Sequence, residues 1–442
     1  MEARDDGEFG QSVTIDGSEL RRRISVGDTE IVSSVQRVGS ESGLAGWWRS
    51  YLAGRRPVAE RTTGRVLRTV DLFSGAGGLA LGFRQAAEEC GFTAKSVVAV
   101  DQDPDALAVY RKNHHTDLVL TESASMLVNY QLSGNADDAT FFGPPSIASK
   151  LAHLRGTIDA ILAGPPCQGH SNLNNYSRRV DDRNELYLTV PAMAVALDVP
   201  IVIIENVPGV VHDHRSVVST TIALLRSCGY HVTHGVHDAA AMGWPQTRKR
   251  FFVVASKTDE VIDLKDVATA LRQPTPLPVT WAIGGLPSDG TDAFMDEFST
   301  LSSENKRRVE YLFENDLHEL PNDQRPDCHR DGTSYRSVYG RMHGEKPAPT
   351  LTAGFLSPGR GRFTHPNEPR ALSPREAARI QAFPDDYSFA LPSGPPGRTH
   401  LARWIGNAVP MPLGFAAALS AIVPIARPTV ELDFNPLAER TQ

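Results

Sequence analysis

The sequence has few cysteines. Its 442 residues contain only four, at positions 90, 167, 228 and 328. No two of them are close enough to form a CxxC pair for zinc or redox chemistry. A chain of this length with so few thiols is also not a disulfide scaffold. We therefore expect a reducing, cytoplasmic environment and no metal centre.

Long apolar runs, excess basic charge and lysine are also scarce. No run approaches the roughly 18–20 apolar residues of a membrane span, and the polar, acidic N-terminus is not typical of a signal peptide. The net charge of -7 excludes a basic coat, so any nucleic-acid contact must use a local basic face. Only eight of the 45 basic residues are lysine, which indicates a GC-rich prokaryotic genome. We expect no membrane association and a monomer.

The first 65 residues show no sustained periodicity, and we predict a flexible extension there, with Trp47 and Trp48 packing back on the body. From residue 66, short apolar runs alternate with helical patterns such as PDALAVYRKNH (104–114). This alternation predicts an α/β fold with a parallel sheet covered on both faces. The predicted strands are VLRTVDLF (66–73), SVVAVD (96–101), TIDAILAG (157–164), PIVIIENV (200–207) and KRFFVVAS (249–256).

The character of the chain changes near residue 258. Pro, Asp, Ser and Gly become frequent, and the strand–helix alternation does not return before SPREAARIQAF (373–383). Clusters of these residues are typical of loops. We predict a separate, smaller, loop-rich domain.

The stretch DLFSGAGG places Gly75, Gly77 and Gly78 at a strand-to-helix turn. Glycine lets the backbone approach a ligand closely and leaves free N–H groups at the helix N-terminus. Asp101 closes the next strand, where a carboxylate can accept from both hydroxyls of a ribose. We predict an adenosine-type cofactor, and the departure from GxGxxG spacing argues against a dinucleotide.

The stretch GPPCQGHSN (164–172) holds Cys167 just past a buried strand. That position is the crevice where α/β sheets bind substrates, and two prolines stiffen the chain before it. A thiol there suits a nucleophile, which acts as the thiolate. Cys90 and Cys228, in contrast, fit small buried hydrophobes.

Two further motifs carry ionisable groups. Glu205 and Asn206 end an apolar strand in IENVPG, where Glu205 suits a proton donor to a ring nitrogen or, alternatively, a structural cap. The stretch PQTRKRFF brings Arg248 and Arg250 to the start of another strand. Alternating side chains in a strand share a face, so these two arginines point the same way, into a site or along a solvated edge.

Taken together, the motifs resemble those of the DNA (cytosine-5) methyltransferase family. DLFSGAGG, GPPCQG, IENVPG, QTRKR, LSPREAARIQAFP and IGNAVP occur in this order over about residues 66–424. The resemblance implies a Rossmann-like, S-adenosylmethionine-dependent domain at 66–257, completed by 400–425. A target-recognition domain with its following helix would occupy 258–399, and a tail 426–442.

The resemblance also implies roles in catalysis. Cys167 attacks C6 of a flipped cytosine, Glu205 contacts the N3 edge, and Arg248 and Arg250 hold the base and the loop near it. Adding a thiolate at C6 makes C5 nucleophilic, so one hard step becomes two easier ones. The base must leave the stack to be attacked on its face. The implied substrate-binding residues are Gln168, Asn206, Gln246 and Thr350.

For S-adenosylmethionine the resemblance implies one pocket. Its residues are Phe73, Ser74, Gly75, Ala76, Gly77, Gly78, Asp101, Pro166, Asn407 and Val409. The sequence departs from the family where an acidic motif usually contacts the adenine, because only Glu122 is available there. Leu79 stands where many members have an aromatic residue.

The interval before SPREAARIQAF is rich in basic residues and aromatics. They are NKRR (305–308), Arg325, Arg330, Arg336, Arg341, Lys346, Arg360 and Arg362, with Tyr335, Tyr339 and Phe363. Such residues suit phosphate and groove contacts, although a solvated surface is the alternative. The resemblance implies duplex DNA as the partner, with a restriction–modification or other defence system as its setting.

Three other functions are compatible with parts of the sequence. The same chemistry acts on RNA in tRNA-methylating relatives that share these motifs. A non-catalytic nucleic-acid binder is disfavoured by the intact Cys167, Glu205 and Arg250. A nicotinamide-dependent oxidoreductase would rest on the glycine turn alone.

Overall fold

A computed structural model describes residues 9–166, 186–213, 216–258, 260–286, 292–330 and 337–426. The strands are β1 (Phe9–Asp16), β2 (Glu19–Val26), β3 (Thr29–Gln36), β4 (Val58–Ala59), β5 (Val66–Leu72), β6 (Thr93–Asp101), β7 (Leu118–Thr121), β8 (Val128–Asn129), β9 (Leu132–Ser133), β10 (Thr140–Phe141), β11 (Ser146–Ile147), β12 (Ala160–Ala163), β13 (Ile201–Asn206), β14 (His231–Asp238), β15 (Gln246–Thr247), β16 (Lys249–Ser256) and β17 (Ala348–Pro349). The helices are α1 (Gly43–Leu52), α2 (Gly78–Glu89), α3 (Pro104–His114), α4 (Thr189–Leu197), α5 (Val217–Ser227), α6 (Leu264–Ala270), α7 (Val279–Ile283), α8 (Ser303–Glu314), α9 (Pro374–Ile380), α10 (Arg398–Asn407) and α11 (Met411–Ala426).

A seven-stranded sheet in the order β14-β16-β13-β12-β5-β6-β7 forms the centre of the fold. The five predicted strands and the helix at 104–114 are confirmed. The sheet is mixed rather than wholly parallel, because β16 runs antiparallel to both β13 and β14. The connection from β14 to β16 contains no α-helix, and a parallel neighbour would need a longer crossover.

Apolar side chains cover both faces of the sheet. Residues 201–204 of β13 are all buried, as expected for a strand with helices on both sides. On one face α2 and α11 pack closely, since a Cβ added to Gly82 would lie 2.6 Å from the Gly414 carbonyl carbon.

The C-terminal helices α10 and α11 contain a longer apolar stretch than the sequence analysis predicted. Across Arg398–Ala426 an 18-residue window reaches a mean hydropathy of 1.8, which by composition alone would suit a membrane span. The expectation that no apolar run approaches that length was therefore wrong. In the structure 83% of this window is buried inside the protein, so the helix pair serves as core.

The N-terminal region is ordered, and the prediction of a flexible extension was wrong for residues 9–59. Strands β1 to β4 form an antiparallel sheet that packs with α1 against the body. The alternation in β2 is hard to recognise because a charged residue, Arg22, occupies a buried position between Leu20 and Ile24. Trp47 and Trp48 do pack back on the body, as predicted, and both are buried.

The loop-rich region has only a small core of its own. That cluster contains Leu312, Leu320, Val338 and Tyr339. Leu264, Val279, Phe355 and Phe363 belong instead to the main cluster that includes α2 and α11. The change near residue 258 thus marks the end of the central sheet rather than a break in the hydrophobic core.

Candidate active site

A cavity of about 950 Å³ opens at the carboxyl ends of the parallel strands. It gathers most residues that the sequence analysis singled out: Phe73, Ser74, Gly75, Ala76, Gly78, Asp101, Pro166, Glu205, Asn206, Arg248, Arg250, Thr350, Asn407 and Val409. Cys167 and Gln168 lie outside the described residues. Segments far apart in sequence therefore meet at one site.

The glycine turn forms one wall of the cavity. Gly77 has φ 85°, and a Cβ there would lie 2.3 Å from Nε2 of His114. Only glycine fits, because the backbone conformation and the half-buried ring behind it both exclude a side chain. Gly77 therefore supports the turn from behind, while Gly75 and Gly78 line the cavity.

Asp101 holds this turn in place. Its Oδ2 accepts from the Gly75 N–H at 2.8 Å, and its Oδ1 accepts from the Asp103 N–H at 2.9 Å. Burial raises the pKa of Asp101, although these backbone donors oppose the rise. The carboxyl group is thus fixed at the cavity wall by two N–H groups.

Two buried polar atoms in the same wall suit a bound ligand. Oγ of Ser74 and Oδ2 of Asp71 have no hydrogen-bond partner among the described residues, and both residues line the cavity. Burial raises the pKa of Asp71 well above its usual range. Buried polar groups are costly when unsatisfied, so this wall is suited to a polar cofactor.

The loop that carries Cys167 begins beside Glu205. Nδ2 of Asn206 donates to the Pro165 carbonyl at 3.3 Å, which ties the start of the loop to the end of β13. A Cβ added to Gly164 would lie 3.5 Å from Oε2 of Glu205. The chain segment with the two prolines therefore starts next to Glu205, the predicted proton donor.

Glu205 and Arg250 form an ion pair, with 2.7 Å between Oε1 and Nε. Burial raises the pKa of Glu205, and the nearby Arg250 and Arg248 only partly offset this effect. A carboxyl group with a raised pKa takes up a proton more readily, which suits an acid in a buried site.

Arg248 has a different environment from Arg250. It is 1% exposed, and its guanidinium donates to the carbonyls of Leu351 at 2.6 Å and Gly406 at 3.1 Å. Both arginines line the cavity, as expected for neighbours on one face, and neither lies on a solvated edge. Arg248 joins the cavity to the segments at 351 and 406.

Gln246 and Thr350 occupy different depths. Gln246 is fully buried and does not line the cavity; its Nε2 donates to the Ile380 carbonyl and to Oε1 of Gln381. Gln246 therefore holds the end of α9 in place and does not reach the cavity. Thr350 lines the cavity and donates to the Thr247 carbonyl at 2.6 Å.

The sequence analysis missed Asp103, Arg403 and Trp404. Oδ2 of Asp103 accepts from Nη2 of Arg403 at 2.6 Å and from Nε1 of Trp404 at 2.8 Å, and all three line the cavity. Trp404 precedes Asn407 by one helical turn on α10, a spacing that could have pointed to it.

The region near Glu122 also reaches the cavity. Glu122, Ser123 and Ala124 line it, and the Glu122 carboxylate pairs with Nζ of Lys150 at 2.5 Å. Among the described residues no group of three His, Cys, Asp or Glu side chains could hold a metal ion.

The basic interval divides into paired and exposed side chains. Arg308, Arg330, Arg341 and Arg362 form ion pairs with Glu304, Asp327, Asp316 and Glu319 respectively. The exposed basic residues include Arg307, Lys346 and Arg360. Tyr335 and Arg336 lie outside the described residues.

Comparison with known proteins identifies the family. The family C-5 cytosine-specific DNA methylase matches residues 67–422. Type II methyltransferase M1.BsuMI of Bacillus subtilis is 40% identical over 414 residues, covering 92% of this chain and 93% of the relative. Type II methylase M.HgiDII of Herpetosiphon aurantiacus is 32% identical, covering 79% and 94%. A solved structure described as an E. coli prophage DNA modification methyltransferase shares 25% identity with a TM-score of 0.54, covering 82% and 100%. The chain therefore belongs to the C-5 cytosine-specific DNA methylase family.

Proposed function

We propose that this protein, a DNA (cytosine-5) methyltransferase by family, transfers the methyl group of S-adenosylmethionine to C5 of a cytosine flipped out of duplex DNA. One observation carries the proposal. The buried Glu205–Arg250 pair lies at the start of the Pro-Pro-Cys loop, in the cavity whose other wall is the glycine turn.

The cavity wall fits the cofactor. Asp101, the residues of the glycine turn and the Asn407–Val409 segment would hold S-adenosylmethionine, with Ser74 and Asp71 offering buried polar atoms. When bound, S-adenosylmethionine supplies an electrophilic methyl group on a sulfonium.

In the proposed mechanism the Cys167 thiolate forms a bond to C6 of the cytosine. The electron pair of the C5–C6 double bond moves toward C5, while the neutral Glu205 carboxyl donates a proton to N3. The raised pKa of Glu205 supports this role. After C5 is methylated, a base removes the C5 proton, and the bond from C6 to sulfur breaks and releases the thiolate. N3 returns its proton to the Glu205 carboxylate, which leaves a restored aromatic ring.

The arginines and the cavity rim would position the base. Arg250 orients the Glu205 carboxyl, and Arg248 keeps the segment carrying Thr350 near the ring. Gln168 and Asn206 would act around the flipped base, Asn206 by holding the loop through Pro165. Gln246 would contribute indirectly, by supporting α9.

DNA binding would use the exposed basic residues of the recognition region. Arg307, Lys346 and Arg360 are available for phosphate contacts, which position a protein on the duplex. Since the relatives are named Type II enzymes, we further propose a restriction–modification setting in the cytoplasm of a prokaryote and a monomeric protein.

The test is to incubate the protein with duplex DNA and methyl-labelled S-adenosylmethionine, beside Cys167→Ser. We expect label at C5 of DNA cytosine with the wild type and none with the variant, and bisulfite sequencing would then give the recognised context. Label in tRNA instead of DNA would move the enzyme to the RNA-modifying relatives. Full activity of Cys167→Ser would contradict the proposed nucleophile.

A further inference from the structure

The N-terminal unit, residues 9–59, lies outside the family match at 67–422. It nevertheless packs on one helix of the predicted recognition domain and on one helix of the catalytic domain. Strands β1 and β2 contact α6, and β3 and β4 contact α2. No residue of this unit lines the cavity among the described residues, so any effect on the reaction must be indirect.

Helix α1 is hydrogen-bonded to the C-terminal end of α7. Nη2 of Arg49 donates to the Trp281 carbonyl at 2.9 Å and Nη1 to the Gly284 carbonyl at 3.3 Å, while the guanidinium lies 4.5 Å from the Trp281 ring centre. Glu41 pairs with Arg49 and accepts from Nε1 of Trp281 at 2.9 Å. These are charge-assisted contacts with fixed geometry.

Helix α1 is also hydrogen-bonded to the turn that follows α9. The Tyr51 hydroxyl donates to the Ala382 carbonyl at 2.8 Å, and the Leu52 carbonyl accepts from the Asp385 N–H at 2.7 Å. Arg379 of α9 also donates to the Gly284 carbonyl, at 2.8 Å. Arg49 and Arg379 therefore meet at one carbonyl oxygen.

We call residues 284–373, the part of the predicted recognition domain between α7 and α9, the recognition segment. The α1 contacts lie at its first residue, Gly284, and at Ala382 and Asp385, just beyond the helix that follows it. Helix α7 ends at Ile283, directly before it, and α9 begins at Pro374, directly after it. The two helices that flank the segment are held together where Arg379 of α9 donates to the Gly284 carbonyl, so their position influences how the segment is oriented. Helix α1 occupies that place.

A row of tryptophans extends the contact toward the catalytic arginines. Trp48 of α1 packs edge-on against Trp244 with ring centres 5.6 Å apart, and Trp244 packs against Trp281 at 6.0 Å. Nε1 of Trp244 donates to the Ile380 carbonyl at 2.8 Å. Trp244 is four residues before Arg248, so the unit also supports the strand entering the cavity.

We propose that the N-terminal unit is an internal brace that sets the orientation of the recognition segment relative to the cavity, with Arg49 and Glu41 as positioning residues for DNA. The inference rests on the proposed function, because it assigns the segment to DNA binding. It adds a specificity-determining role to a unit that the family match does not include.

The experiment compares Arg49→Met and Glu41→Gln with the wild type. For Arg49→Met we expect KM for DNA to rise about tenfold, the scale of a lost charge-assisted hydrogen bond, with weaker discrimination against DNA with one altered base pair. The Kd for S-adenosylmethionine should not change. Glu41→Gln can still accept from Trp281 and should show a smaller effect in the same direction.

Arg23→Met is the matched control, because it removes an exposed ion pair with Glu30 on the same unit and makes no contact at α7 among the described residues. It should leave KM for DNA unchanged. Hydrogen exchange gives a readout besides activity: in Arg49→Met, residues 279–286 and 374–385 should exchange faster, while the glycine turn should not.

Several outcomes would overturn the inference. One such outcome is a folded Arg49→Met variant with unchanged KM for DNA and unchanged discrimination against altered DNA. Another is a Kd for S-adenosylmethionine that rises as much as KM for DNA, which would indicate general destabilisation. If Arg49→Met does not fold, Glu41→Gln decides by the same criteria. A wild type that never methylates DNA would reject the proposed function instead, and hydrogen exchange would then decide whether the brace exists.

Discussion

Glu205 keeps a carboxyl group at the end of an apolar strand, where an ionised side chain is costly unless it is paired. Arg250 provides the partner at 2.7 Å, yet burial still raises the pKa of Glu205. The pairing keeps the group oriented, and the burial keeps it ready to hold a proton. Glu205 thus combines the two properties that the proposed acid at N3 needs.

We expect Glu205→Gln to lower kcat by about 10²–10⁴-fold, the usual contribution of a general acid. Glutamine keeps a hydrogen-bonding group but cannot give up a proton. The Kd for S-adenosylmethionine should change little. Single-turnover methylation measures the effect, and Lys249→Met, an exposed neighbour, serves as the control.

The pH dependence of the methylation rate tests the same role of Glu205. Because the proposed role of Glu205 requires its protonated form, the wild-type rate should fall as pH rises through its raised pKa. That falling limb should be absent from the residual activity of Glu205→Gln. A variant that retains more than half of the wild-type rate would show that Glu205 is not the acid.

At the scale of elements, β14 and β16 form an antiparallel pair at one edge of the sheet. In this register His237 lies opposite Arg250. The ring is 1% exposed, packs against Phe252, and both its nitrogens lack a hydrogen-bond partner among the described residues. Burial lowers the pKa of His237 to about 4.

This burial makes stability depend on pH. The folded-state pKa of His237 lies below its ordinary value of 6.5, so the unfolded chain binds the proton more tightly. The stabilisation that comes from the neutral His237 is complete above pH 6.5, and it is lost as the pH falls toward about 4. Between about pH 7.5 and 5.5 we expect His237 to remove about 1.4 kcal/mol from the free energy of unfolding.

Urea unfolding at the two pH values measures this loss. His237→Phe keeps a ring and cannot titrate, so its stability should fall less over the same interval, by about the amount assigned to His237. Equal losses in the two proteins would mean that His237 is protonated without cost in the folded state.

At the scale of the whole molecule, a buried ion pair connects the N-terminal unit to the catalytic body. Nη1 of Arg22 lies 3.2 Å from Oε1 of Glu89, and both side chains are almost fully buried. Gln85 and Ser33 also donate to Glu89, and the Arg22 guanidinium lies against the ring of Trp48. The unit is therefore part of the folded body.

We expect Arg22→Met to lower the free energy of unfolding by about 3–5 kcal/mol, because it leaves the Glu89 charge buried without its partner. Urea unfolding measures the change. The double variant Arg22→Met with Glu89→Leu should recover part of the loss, since no unpaired charge remains. A double variant less stable than the single would show that the ion pair itself is strongly stabilising.

Much of this protein could be predicted from local patterns. Strand β16 at 249–256 and helix α3 at 104–114 matched their predicted bounds, because apolar runs and a Pro at the first helical position are local signals. The cavity residues were predictable for a related reason. Strands of a parallel sheet end at the same edge, so motifs that follow them converge.

Other features depended on partners distant in sequence. The antiparallel direction of β16 and the separate roles of Arg248 and Arg250 arise only when β13, Leu351 and Gly406 are brought together. The N-terminal sheet escaped prediction because Arg22 has a buried partner, Glu89, 67 residues away. The sequence by itself determined five strands of the central sheet and the chemistry of the motifs that follow them, since these depend on neighbouring residues. Only the tertiary structure decided which charges meet, because pairing depends on distances that the chain sets by folding.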